Sequence, residues 1–122
     1  MIFLDTNILI EYLKGNRIPI ASYNVDELFI SDIVVMELYQ GARSKSDLNF
    51  IIKEIAHFKV LKTNDEIVKL ATALVKAFNL SHNMKMMDAL IASTVMVYDM
   101  KLMSFNRKDF RYIDGVKLVD FI

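Results

Sequence analysis

The chain has 122 residues, 54 % hydrophobic and none of them cysteine, which suits one domain with a sizeable core and excludes disulfides, thiolate metal ligands and cysteine nucleophiles. Fifteen Lys and Arg balance fifteen Asp and Glu, so overall charge selects no partner, and a nucleic-acid substrate requires a local basic patch. No stretch approaches the roughly 20 apolar residues that span a bilayer, and Met1-Ile2-Phe3-Leu4 lacks the basic segment of a signal peptide, so the expectation is a soluble cytoplasmic protein with no membrane contact.

In chain order, Ile2–Leu4 is a short apolar run that predicts a buried strand closing on Asp5. Thr6–Lys14 predicts a helix, with Thr6 or Asn7 near its N-terminus and Gly15 just past its end. The segment from Arg17 to Asp26 holds the one proline and predicts at most a short helix. Leu28–Ile30 predicts a second strand, and Ser31 a cap for a helix from Asp32 to about Gly41. Ser46–His57 predicts a helix with Leu48, Ile51, Ile52 and Ile55 on one face, followed by a strand at Phe58–Leu61. Thr63-Asn64-Asp65-Glu66 is a capping-box pattern opening a long helix to about Phe78, with Ile67, Leu70, Ala71, Leu74 and Phe78 as its stripe. Lys85–Tyr98 predicts a further helix, Leu102–Ser104 a strand, Arg107–Phe110 one turn and Lys117–Val119 a last strand. Short apolar strands separated by helices specify an α/β fold, with a central parallel sheet of about four to five strands and helices on both faces.

Three carboxylates stand in apolar settings. Asp5 ends the first strand, where open α/β sheets place their ligands. Asp is also a preferred helix N-cap, and that role accounts for Asp5 equally well. Glu37 shares its helix side with Ile33, Val34, Gln40 and Gly41, a face with room for a ligand, although a lone Glu on a helix is usually solvated. Asp88 opens a helix whose continuation, Ala89-Leu90-Ile91-Ala92-Ser93-Thr94-Val95, is apolar almost all round and reads as buried. Its alternative role is to complement the helix dipole. A cluster of acids without Cys or paired His points to a hard cation with oxygen ligands, Mg²⁺ or Mn²⁺. His57 and His82 lack zinc-site spacing and read as surface or boundary residues. The methionines between Met84 and Met103 read as core filler. Lys101, Arg107, Lys108 and Arg111, with only Asp109 as counter-charge, form a basic cluster after the Leu102–Ser104 strand. It is either a solvated turn or a patch for a phosphodiester polymer on the rim of Asp5.

These residues resemble the PIN-domain ribonucleases, most closely the toxin half of VapBC-type toxin–antitoxin pairs. The resemblance runs over residues 1–122 as one PIN domain. Met1-Ile2-Phe3-Leu4-Asp5-Thr6-Asn7 is similar to the family's opening strand and first acid. Glu37-Leu38-Tyr39-Gln40-Gly41-Ala42 resembles its E-L-x-x-G-A segment, and Asp88-Ala89-Leu90-Ile91-Ala92 its D-A-x-I-A segment. Ser104-Phe105-Asn106-Arg107-Lys108-Asp109-Phe110 resembles its T-x-N-x-x-D-F close, with Ser for the usual Thr.

The resemblance implies metal-dependent RNA cleavage that arrests translation, with Asp5 and Asp88 as the main Mg²⁺ or Mn²⁺ ligands and Glu37 a ligand directly or through water. It assigns Asn7, Ser104, Asn106 and Asp109 to the support of those acids, and Lys101, Arg107, Lys108 and Arg111 to weak RNA contact. It further implies a homodimer, a tRNA or rRNA substrate, and a small cognate antitoxin that obstructs the acids, which would attract an Arg. Ile10, Tyr12 and Leu13 on the early helices read either as the antitoxin's groove or as ordinary core contacts. Many relatives carry a fourth acid near Asn106. Its absence leaves one ion held tightly and a second arriving with RNA, with Asp109 either compensating or capping its turn. A haloacid-dehalogenase phosphatase requires a second Asp where Asn7 stands, and a receiver domain requires a pair of early acids that is missing. The remaining alternative is a catalytically weak PIN-like domain that acts as a protein or RNA-binding partner.

Overall fold

The Ile2–Leu4 run forms strand β1, buried on both sides, with Phe3 and Leu4 fully inaccessible. In the computed structural model, which describes residues 1–121, β1 is followed by α1 (Thr6–Leu13), β2 (Leu28–Ser31), α2 (Asp32–Gln40), α3 (Lys45–Ile55) and β3 (Lys59–Leu61). The second half comprises α4 (Asp65–His82), α5 (Met86–Val97), β4 (Lys101–Met103) and β5 (Lys117–Leu118). All strand pairings are parallel, and the sheet order is β3-β2-β1-β4-β5. The expected α/β architecture is therefore present with five strands.

Strand order fixes where a ligand can sit. From β1 the chain steps outward through β2 to β3, then crosses back over the sheet to β4 and on to β5. Right-handed crossovers in these two directions put α1, α2 and α3 on one face and α4 and α5 on the other. The packing agrees, since α1 touches α2, α2 touches α3, and α4 lies along α5. Connections leave β1 and β4 in opposite directions, so the crevice at the carboxyl ends of those two strands is the topological switch point. The backbone N–H of Asp5 donates to Met103 O (3.0 Å) across that point.

The helices begin where short polar side chains satisfy free N–H groups. Ser31, Ser44 and Asn64 accept from Val34 N, Asp47 N and Ile67 N. Asn64, rather than Thr63, is thus the cap of α4. Thr63 instead donates its hydroxyl to Asp32 Oδ1 (2.6 Å) and its N–H to Asp32 Oδ2 (3.0 Å), tying the end of β2 to the loop after β3. α4 also runs one turn beyond Phe78 and stops where Asn83 turns left-handed, with φ 51°, a conformation Asn tolerates.

Other boundaries shift for equally local reasons. The Arg17–Asp26 segment forms two 3₁₀ turns, Ile18–Ile20 with Pro19 in its first turn and Val25–Glu27. On α3, Ile51 and Ile55 are buried, Leu48 is half-buried and Ile52 is exposed, so the apolar stripe is narrower than its spacing suggested. α5 is buried from Ala89 to Val95 except for half-buried Leu90, as its composition predicted. Met84, Met100 and Met103 fill core, while Met86 is exposed. No helix among the described residues is long and apolar enough to cross a membrane.

Candidate functional site

Asp5 is both a helix cap and a buried acid. Its Oδ1 accepts from Thr6 N (2.8 Å), opening α1. Its Oδ2 accepts from Ser104 Oγ (2.7 Å) at the end of β4. The neighbouring strands β1 and β4 thus bring together residues from opposite ends of the chain. Ser104 Oγ also accepts from Asn106 N (3.0 Å) and from Asn7 Nδ2 (3.3 Å), while Asn7 Oδ1 accepts from Phe105 N (3.3 Å). Asn7 and Ser104 therefore hold Asp5 and the loop after β4 in one network. Asn106 enters it through its backbone alone.

Glu37 reaches the same end of the sheet from α2. Thr6 Oγ1 donates to Glu37 Oε1 (2.6 Å), so the residue after Asp5 binds the second acid. Asp88 stands in the first turn of α5, on the opposite face. Its proximity to the others is electrostatic. Burial first, then the charges of Asp109, Asp5 and Glu37, push the Asp88 carboxyl up to about 6, against a partial offset from Lys85. Burial likewise pushes the Asp5 carboxyl up, with Glu37 and Asp109 adding to it and the hydrogen bonds from Ser104 and Thr6 opposing it. Glu37 and Asp109 thus both disfavour the charged forms of Asp5 and Asp88 at the switch-point crevice. Asp109, at the end of a 3₁₀ turn (Arg107–Asp109) that has no side-chain cap, acts on Asp88 more strongly than Asp5 or Glu37 does.

The acids offer hard oxygen donors, the kind that suit Mg²⁺ or Mn²⁺. Among the described residues no three His, Asp or Glu side chains form a ready-made cage. The donor set suits an ion that keeps much of its water and takes one or two carboxylates directly, as Mg²⁺ does.

The basic residues do not form one patch. Lys101 begins β4 and pairs in register with Ile2 and Lys117, so it lies at the opposite end of the strand from Ser104, about 10 Å away at strand rise. It does not border the acids. Arg107 donates to Val119 O (2.6 Å) and Asp120 Oδ1 (3.1 Å), bolting the last residues to the turn that carries Asp109. Asp109 is therefore not the cluster's only counter-charge. Lys108 and Arg111 are exposed around that turn.

On the α1–α2–α3 face, Glu37 borders a cavity of about 550 Å³ lined by Ile10, Leu13, Leu38, Phe50 and Gly41. Tyr12 is not in it. It is buried at 8 % exposure, edge-on to Phe58 at 5.3 Å with Arg17 over its ring at 4.3 Å. Three residues near the acids were not singled out from sequence: Thr6, Lys85 and Tyr112. The phenol of Tyr112 is pushed up by burial and then by the charges of Asp88 and Asp109. Adjacency to Asp5 and to Asp88 was the available signal for Thr6 and Lys85. Tyr112 carried none.

Ser104→Ala is expected to raise the Asp5 carboxyl further, because the stronger of its two neutralising hydrogen bonds disappears. It should also cost on the order of 1 kcal/mol by removing the buried Ser104–Asp5 hydrogen bond. A carboxyl-carbon NMR titration and a urea melt read the two effects. An Asp5 titration unchanged from wild type would contradict the network.

A family model described as PIN domain matches residues 2–116. The chain is 30 % identical over 143 residues to Ribonuclease VapC2 of Methanocaldococcus jannaschii, with 98 % of this chain and 93 % of that protein covered. Among solved structures it is similar to a toxin–antitoxin complex from Klebsiella pneumoniae, with 27 % identity, a TM-score of 0.79 and 95 % of each chain covered. It is also similar to VapBC-1 from nontypeable Haemophilus influenzae, with 26 % identity, a TM-score of 0.80 and 98 % of each chain covered.

Proposed function

Because this chain belongs to the PIN-domain family, we propose that it is a divalent-metal-dependent endoribonuclease and the toxin of a VapBC-type pair, which cleaves tRNA or rRNA and so arrests translation in the cytoplasm. The observation that supports this reading most is the Thr6 bridge from Asp5 to Glu37 at the switch point, with Asp5 and Asp88 both disfavoured as anions by burial and by neighbouring acids, a setting that a cation would relieve. Mg²⁺ or Mn²⁺ would be held by Asp5 and Asp88, with Glu37 bound directly or through water. When bound, the ion supplies Lewis acidity to activate a water and to offset charge on the leaving oxygen.

The chain's own groups do the positioning. Thr6 N–H and Ser104 Oγ–H each occupy one lone pair of Asp5 and fix its carboxylate plane. Such outer hydrogen bonds commonly set ligand orientation and basicity. Thr6 Oγ1 holds Glu37 toward the same point. Asp109 supplies the fourth negative charge that Asn106 does not, which supports a second, weaker cation arriving with the RNA. Lys85 beside Asp88, Arg43 in the cavity with Glu37, and Lys108 and Arg111, exposed around the turn that carries Asp109, are cations that support contact with a phosphodiester backbone.

The cavity beside Glu37 supports an antitoxin as partner. Ile10, Leu13 and Phe50 give the groove apolar walls, and Glu37, Asp47, Lys14 and Arg43 give it charges of both signs, suited to an apolar segment that also carries charged side chains. A homodimer belongs to the same reading. Purified protein is expected to cut RNA in Mg²⁺ or Mn²⁺, to stop on addition of a chelator, and to resume when Mn²⁺ is restored. Cleavage indifferent to the chelator would overturn the metal-dependent reading, and no cleavage in either ion would overturn the nuclease.

A further inference from the structure

α4 ends at His82, and left-handed Asn83 turns the chain toward α5, whose first turn carries Asp88. On the other side of the site, Tyr112 follows soon after the turn that ends at Asp109. These two segments meet in an aromatic stack. The His82 and Tyr112 rings are nearly parallel, 10° between planes, with centroids 4.0 Å apart. Phe78 supports both edge-on, at 5.6 Å from His82 and 5.2 Å from Tyr112. Ser81 Oγ lies 2.8 Å from His82 Nδ1 and fixes the rotation of the imidazole.

Tyr112 is half-buried and His82 is exposed. The stack therefore has an inner ring, beside the acids, and an outer ring that faces solvent. A flat ring already immobilised by a partner beneath it and a hydroxyl at its edge loses little freedom when a further plane is laid on it. That is how proteins receive unpaired bases, since every base has a π-face whatever its sequence. The Lys85 ammonium, 3.3 Å from Asn83 Oδ1, adds a positive charge on the segment between His82 and Asp88. The phosphate would be met at the acids and a flanking base at the stack, whose inner ring Tyr112 feels the charges of Asp88 and Asp109.

We propose that the His82–Tyr112 stack is a base-binding platform, on which an unpaired base flanking the scissile phosphate of single-stranded RNA stacks against His82. The proposal takes the polymer from the nuclease reading, but the platform is testable without cleavage. The probe is a set of short single-stranded RNAs with 2-aminopurine placed at each position in turn, titrated into the Asp5→Asn protein. Quenching is expected at one or two positions. Adding His82→Ala should weaken binding about tenfold and abolish that quenching, while His82→Phe should restore both. Melting temperatures report that each variant is folded, which the exposure of His82 favours.

Equal binding by the His82→Ala protein would overturn the platform. So would His82→Phe as weak as His82→Ala, since the imidazole rather than stacking would then matter. RNA cleavage by the wild type that is indifferent to His82→Ala, with no quenching at any position, removes the platform and leaves the nuclease. Quenching that depends on His82, in a protein that cuts no RNA, removes the nuclease and leaves the platform.

Discussion

Asp5→Asn is expected to lower RNA cleavage in Mg²⁺ by about a hundredfold or more, since even outer partners of metal ligands commonly cost 10- to 100-fold. The substitution is nearly isosteric. Its amide oxygen can still accept from Thr6 N, which stands 2.8 Å from Asp5 Oδ1, so α1 keeps its cap. What disappears is the charge, and with it the acceptor of the Ser104 hydroxyl, since the second amide atom is an NH2 donor. Burial and the other acids already disfavour that charge, so its removal offsets the lost bond and the fold should stay intact. Expression of the wild type should arrest growth, and expression of the variant should not. Comparable cleavage, or comparable toxicity, by a folded Asp5→Asn protein would sink the assignment of Asp5.

Asp88→Asn should uncouple stability from activity. The Asp88 carboxyl is pushed up from 3.8 to about 6, so the folded state binds this proton more tightly than the unfolded chain. The sign follows from linkage. Without a cation the folded protein carries no penalty from this group below about pH 4, loses stability as pH rises from there to about 6, and bears the full penalty above. After allowance for solvent screening at a half-exposed group, the penalty is on the order of 1 kcal/mol, or about 4 °C in a domain of this size. The variant should therefore melt higher than wild type at neutral pH in chelator, match it in acid, and cut no RNA. Mg²⁺ should stabilise the wild type by binding only its folded form and leave the variant unmoved. A variant less stable at neutral pH, or equal Mg²⁺ stabilisation of both, would exclude Asp88 from the cation site.

Much of this was legible in the chain because it is local. The Ile2–Leu4 run followed at once by Asp5 encodes a buried strand and an acid at its carboxyl end. Asp88 at the mouth of an apolar helix encodes the second. Contacts between distant elements were not legible. The Thr6–Glu37 bond depends on how α1 lies against α2, and no periodicity carries it. Tyr12 was misplaced for a related reason: on a helix as short as α1, apolar residues cover several faces, and only packing against Phe58 decides that Tyr12 turns inward. Lys101 was misplaced by the strand start. β4 begins at Lys101 itself, and that puts the ammonium at the far end from Ser104. Arg107 seemed free because its partners, Val119 O and Asp120, lie past the next strand.

The Asp5–Ser104 hydrogen bond joins residues 99 positions apart, and β1 lies between β2 and β4 in the sheet. During synthesis, at about 5–20 residues per second, the first strand emerges long before β4 exists to complete its far side. The acid that leads the sequence stays without its hydroxyl partner until nearly the whole polypeptide has left the ribosome. The network around Asp5 is therefore completed only as synthesis ends, and a chain truncated upstream of Ser104 lacks the hydroxyl that orients this acid.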